Sequence, residues 1–129
     1  MATLLGESVK GRGLVLGDNI CKMYLAEHVS VLYNSRNQPV EVAWTPTEWR
    51  ILELLLRNKD CLVSDEQIFR ICWGEGYLES PSSKPVHQWH IANIRRKIKL
   101  ITGRADKNCP LKVVRGFGYK WETPVGTGI

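Results

Sequence analysis

His87-Gln-Trp-His-Ile-Ala-Asn-Ile-Arg-Arg-Lys-Ile-Lys-Leu-Ile101 is the stretch on which the reading of this chain turns. Ile91, Ile94, Ile98 and Ile101 recur at three- and four-residue spacings, which puts them on one face of a helix. Between them stand Arg95, Arg96, Lys97 and Lys99, and no acidic residue occurs from Ser80 to Ala105. Such a helix rests on a core by its aliphatic face and turns a basic, polar face to a polyanion. Farther on, Leu111-Lys-Val-Val-Arg-Gly-Phe-Gly-Tyr-Lys-Trp121 reads as a β-hairpin. Gly116 and Gly118 permit its tight turn and hold Arg115 near the tip. A basic helix beside a basic hairpin is the layout of a duplex-DNA reader.

The charge of the whole chain supports this. Residues 1–79 hold 8 Lys/Arg and 11 Asp/Glu, a formal −3, whereas residues 80–129 hold 10 and 2, a formal +8, which together give the net +5. Solubility alone needs no such division; a one-sided basic surface concentrates nucleic acid and speeds encounter. The length of 129 residues suits one domain with a real core, and 43% hydrophobic residues with five Trp exclude a disordered chain. Cys21, Cys61, Cys72 and Cys109 form no C-x-x-C pair, so neither a zinc ribbon nor a redox motif is indicated, and the reading is a reduced, cytoplasmic protein. No apolar run approaches the roughly 18 residues of a membrane span, and no signal peptide is visible.

Outward from the basic helix, the earlier chain has two textures. Leu14-Val-Leu16, Cys21-Lys-Met-Tyr-Leu25, Val29-Ser-Val-Leu-Tyr33 and Val40-Glu-Val-Ala-Trp44 are short β-branched and aromatic runs with turn residues between them, which predicts an antiparallel meander of three or four strands. Thr45-Pro-Thr-Glu48 predicts a capped helix start, with Trp49, Leu52, Leu55 and Leu56 as its buried stripe, ending near Asn58. Ser64-Asp-Glu-Gln67 repeats that signal for a second helix, buried through Ile68, Ile71 and Cys72 and stopped by Gly74. A loop follows to Ser83, and the third helix is expected over about 83–101. Residues 1–12 read as a linker or flexible N-terminus, 13–122 as the domain, and 123–129 as a flexible tail.

Strands, three helices, then a hairpin: this order resembles an α+β winged helix-turn-helix. At residue level the chain resembles the DNA-binding domain of the OmpR/PhoB response regulators. The matching segments are Thr45-Pro-Thr-Glu-Trp-Arg-Ile-Leu-Glu-Leu-Leu55, Val63-Ser-Asp-Glu-Gln67, Trp73-Gly74, His90-Ile91, Ile94-Arg-Arg-Lys-Ile98 and Val114-Arg-Gly-Phe-Gly-Tyr119. In that family the third helix enters the major groove and the wing arginine reaches the minor groove. The resemblance therefore implies base contacts by Gln88, Trp89, Asn93 and Arg115. It implies phosphate contacts by Trp73, His90 and Arg95. The charge and position of Lys84 and Arg96 add them to that set, and Tyr119 could donate to a phosphate or fill core space. Gln and Asn amides pair bidentately with adenine edges, and a narrow A·T-rich minor groove attracts an inserted arginine. The chain departs from the family where relatives present an acid or arginine and it has Gln88 and Asn93, and where Trp89 replaces a small aliphatic residue, so the target sequence cannot be carried over.

The resemblance also implies partners. Members bind direct repeats as tandem homodimers, and in activators the loop between the second and third helices contacts RNA polymerase. Here that loop carries Glu75, Tyr77, Leu78 and Glu79. A receiver domain of about 120 residues precedes this domain in the family, and only about 12 residues precede it here, so the chain is a fragment or stands alone. His87 and His90 form an H-x-x-H pair, but their directions on the helix diverge and no third ligand is near, so no metal and no cofactor is expected. No nucleophile–base pair or phosphate-binding glycine loop is legible, which excludes an enzyme reading. Two alternatives stay open: a winged-helix protein-interaction module whose basic face meets an acidic partner, and the cytoplasmic part of a membrane-anchored ToxR-like regulator.

Overall fold

The computed structural model describes residues 14–73 and 86–123, with the backbone only at Cys72, Trp73 and Val86. Four strands open it: β1 (Val15–Gly17), β2 (Cys21–Tyr24), β3 (Val29–Tyr33) and β4 (Pro39–Glu41). They form an antiparallel sheet in the order β1-β2-β3-β4, the expected meander. Its last strand is shorter than Val40–Trp44. Pro39 begins it, and after Glu41 the chain leaves the sheet toward the helix cap at Thr45. The first turn is built by Asp18, whose Oδ1 accepts from the N–H groups of Ile20 (2.8 Å) and Cys21 (3.1 Å).

Three helices follow: α1 (Pro46–Arg57), α2 (Asp65–Trp73) and α3 (Val86–Thr102). Both expected caps are present. Thr45 Oγ1 accepts from the Glu48 N–H at 3.1 Å, and Glu48 Oε1 accepts from the Thr45 N–H at 3.0 Å. Ser64 and Gln67 make the same reciprocal pair at the start of α2, at 3.1 and 3.0 Å. Gly103 ends α3 with a φ of +76°, its N–H donating to Lys99 O at 2.9 Å. The expected start of α3 at Ser83 and the stop at Gly74 lie outside the described residues.

The hairpin is β6 (Leu111–Val114) and β7 (Gly118–Trp121), with Arg115, Gly116 and Phe117 in the turn. A strand absent from the sequence reading, β5 (Leu62–Ser64), completes a second sheet in the order β5-β7-β6. Gly118 makes this possible, because a Cβ there would lie 2.1 Å from Val63 O of the neighbouring strand. One core joins the two sheets and the helices through Met23, Leu32, Ile51, Leu52, Leu55, Ile68, Ile94, Ile98, Leu111 and Trp121, each 0% exposed. Trp121 Nε1 also donates to Asp18 Oδ2 at 2.8 Å, fastening the base of the wing to the first turn of the meander. Thr123, expected to begin a flexible tail, instead donates from its N–H (2.9 Å) and hydroxyl (3.0 Å) to the Asp60 carboxylate.

Candidate nucleic-acid interface

Helix α3 divides as its sequence periodicity requires. Ile91, Ile94 and Ile98 are buried in the core, and His87 joins them at 6% exposure. The opposite face carries Gln88, Trp89, Ala92, Arg96 and Leu100, all exposed, with Asn93 half-buried at its margin. Trp89 (64%) and Leu100 (76%) are large apolar side chains left in solvent. Leu100 was not singled out from sequence, although it falls on the same stripe as Trp89, Asn93 and Arg96 at helical spacing. The Asn93 carbonyl oxygen accepts from Arg96 Nη2 at 3.1 Å, so these two side chains lie side by side on the outer surface.

The phosphate candidates separate into groups. Arg96 is exposed, and His90 is half-buried with its ring edge-on to Trp89, centroids 5.2 Å apart. Lys84, the Trp73 side chain and the loop residues Glu75, Tyr77, Leu78 and Glu79 lie outside the described residues. Arg95 is turned away from the outer face: its Nε donates to Leu111 O at 2.9 Å and its Nη2 lies 3.1 Å from Asp106 Oδ1. Lys99 reaches the same Asp106 oxygen at 3.0 Å. The Lys99 hydrogen bond first, then the Arg95 charge, hold the Asp106 carboxyl below the usual carboxylate range.

Tyr119 requires a correction to its phosphate role. It is only 4% exposed, because its position on β7 pairs with Val63 and Val113 and faces the helices. Burial, then the Asp65 charge and a hydrogen bond to Asp65, push its hydroxyl up to about 12. The buried ring packs edge-on to His87, whose Nε2 stands 3.4 Å from Asp65 Oδ1 without a hydrogen bond. His87 thus packs between α2 and the wing. Among the described residues no group of three or more His, Cys, Asp or Glu could hold a metal ion.

At the wing, Arg115 is exposed, and no hydrogen bond or ion pair reaches its side chain among the described residues. Phe117 beside it is 65% exposed, a second residue that sequence reasoning passed over. The turn is anchored below by the Asp65 N–H, which donates to Phe117 O at 3.3 Å. The site is therefore a helix face of amides, cations and one indole, next to a hairpin tip with an unpaired guanidinium. No helix among the described residues is long and apolar enough to cross a membrane.

Known proteins share this fold. The chain is 34% identical over 110 residues to the regulatory protein VanR of Enterococcus faecium, covering 85% of this chain and 40% of VanR. It is 34% identical over 84 residues to the transcriptional regulatory protein KdpE of Mycobacterium tuberculosis, covering 64% of this chain and 34% of KdpE. It thus spans well under half the length of these relatives. Among solved structures, the DNA-binding domain of the response regulator AdeR, crystallised in complex with an intercistronic region, superposes with a TM-score of 0.66 at 19% identity, covering 84% of this chain and 98% of that one. The DNA-binding domain of CpxR from E. coli gives 0.62 at 24% identity, covering 86% and 98%. Residues 37–121 match the family described as "Transcriptional regulatory protein, C terminal". The chain belongs to that family, the non-enzymatic winged-helix DNA-binding domains of OmpR/PhoB-type response regulators.

Proposed function

We propose that this domain binds duplex DNA sequence-specifically for a bacterial transcription regulator, with α3 in the major groove and the wing in the minor groove. One observation carries the reading. The outer face of α3 holds Gln88, Trp89, Asn93 and Arg96 clear of the core, and the neighbouring hairpin tip holds an exposed Arg115 with no hydrogen bond or ion pair among the described residues. The B-DNA major groove admits a helix of this kind, and the donor and acceptor edges of its bases suit Gln and Asn amides. The narrow minor groove suits a single guanidinium. Arg96 and His90, with Lys84 and Trp73 from the segment before α3, would hold phosphates. Binding would be by tandem homodimers on direct repeats in the cytoplasm, and the 74–83 loop with Tyr77 and Leu78 would touch RNA polymerase in an activator.

A genome-wide selection of bound duplexes, followed by titration of the selected site against salt, tests this. The logarithm of affinity should fall with the logarithm of salt at a slope of about −0.9 per neutralised phosphate. An affinity indifferent to salt, or an absence of any selected duplex, would sink the DNA reading. The exposed Trp89 and Leu100 would then favour a protein-interaction module. Tyr77→Ala combined with Leu78→Ala should lower transcription from a dependent promoter and leave operator affinity unchanged; loss of both together would remove the polymerase role.

A further inference from the structure

Two adjacent arginines of α3 have opposite fates. Arg96 lies on the outer surface, whereas the Arg95 side chain is 19% exposed and spans three elements. It leaves α3, donates through Nε to Leu111 O at the start of β6, and pairs through Nη2 with Asp106 in the 3-10 turn (Asp106–Asn108) that joins them. Among the described residues β6 is an edge strand of the wing sheet, paired with β7. The Arg95 tether meets it four residues from Arg115, beside a second link from β6 to the same turn, in which Lys112 Nζ donates to Lys107 O.

That distance acts as a lever. At about 3.3 Å per residue, the tether lies roughly 13 Å from the wing tip. A swing of about 10° at Leu111 would move Arg115 by about 2 Å, well beyond the roughly 0.5 Å tolerance of a preorganised contact. A planar fork holds the carbonyl and the carboxylate in fixed relative directions; a lysine ammonium at the same place could reach an acceptor and serve the charge but not fix the plane.

We propose that Arg95 is a positioning residue that locks the wing to the recognition helix through Leu111 and Asp106, so that α3 and Arg115 engage one duplex in a single register. The proposal rests on the DNA reading above and assigns Arg95 no phosphate.

The test uses the full chain with Arg95→Lys, Arg95→Ala and Asp106→Ala. Affinity is measured on the selected site with A·T or with G·C base pairs under the wing, across salt. The unsubstituted chain should prefer A·T flanks about tenfold, the worth of one mismatched pair. All three variants should fall below about twofold, with the salt slope unchanged. In the DNA-free chain, residual dipolar couplings should fit α3 and the wing as one rigid body, and as two in the variants. An Arg95→Lys variant that keeps its discrimination, with Arg95→Ala lowering the slope by about 0.9, would make Arg95 a phosphate contact and overturn the proposal. Asp106→Ala that tightens all duplexes alike and keeps discrimination would overturn it too. If the unsubstituted chain binds no duplex, the DNA reading falls, and one-body couplings in all variants then refute the tether independently.

Discussion

Lys97 Nζ lies 2.8 Å from Glu48 Oε1, an ion pair that joins α3 to the first turn of α1. The same Glu48 oxygen accepts from the Thr45 N–H, and the Lys97 ammonium also donates to Ala43 O at 3.1 Å and sits over the Trp44 ring. Glu48 is 3% exposed, while the Lys97 side chain keeps 31%. Burial makes the two partners unequal, since an uncompensated charge is worst where water is least.

Lys97→Met should therefore destabilise more than Glu48→Gln. The first strands a buried carboxylate and should cost about 3 kcal/mol. The second leaves a half-solvated ammonium and retains a capping amide, at roughly 1–2 kcal/mol. Urea unfolding measures both; the reverse order would mean that the cap, not the charge pair, sets the energy.

Asn93→Ala and Gln88→Ala should each cost on the order of 1–3 kcal/mol on the selected site and little on random duplex. Arg96→Ala should weaken both duplexes alike and also release Asn93 from its neighbour. Equal losses on both DNAs for the amide variants, read by fluorescence anisotropy, would exclude them from base reading.

The Tyr119 hydroxyl gives a pH dependence of defined sign. Its folded value, raised to about 12 from the ordinary 10.0, means that the neutral form is favoured in the fold. This contribution is complete below about pH 10 and is lost as pH rises toward 12. Stability should fall more steeply across that window in the unsubstituted chain than in Tyr119→Phe. Parallel curves would show that the ring, and not the hydroxyl, is what the core holds.

Thiol labelling tests the core. Burial raises the Cys21 thiol to about 12, Cys109 is also buried, and Cys61 is exposed. In a Cys72→Ser background at pH 8, a disulfide reagent should modify Cys61 quickly, and Cys21 and Cys109 only on unfolding. Rapid modification of all three would contradict the packing of β2 and the segment before β6.

The caps at Thr45 and Ser64, the isoleucine stripe of α3 and the glycine-bearing wing were legible because each is a local pattern with a local cause. β5 was not, because Leu62-Val-Ser64 is three residues long and becomes a strand only when β7 comes beside it from 56 positions later, as in the Val63–Tyr119 pair. Arg95 and Arg96 look alike in sequence; only the return of β6 past α3 gives one a carbonyl and leaves the other in solvent. Tyr119 likewise belongs to a motif that suggests a surface role, and the side of β7 it occupies is decided by the register with β5 and β6.

The two wing glycines, equivalent in sequence, should separate sharply on substitution. Gly116 has a φ of +84° and nothing within 4 Å of a Cβ placed there. Alanine at that position meets only backbone strain, about 1–2 kcal/mol. Gly118 has a φ of +153° and would set its Cβ 2.1 Å from Val63 O and 2.8 Å from Ser64 Cα. Those are backbone atoms of a paired strand, so β5 must move, and with it the cap of α2 that Ser64 supplies. Gly118→Ala should therefore cost more than about 3 kcal/mol, the upper range for a point change with a named steric cause. Thermal unfolding ranks the pair. If the wing serves the minor groove, Gly116→Ala should also blunt the A·T flank preference in a domain that remains folded, because it re-aims Arg115 alone. A Gly118→Ala domain as stable as the parent would mean that β5 does not press on β7 as described, and the second sheet would have to be redrawn.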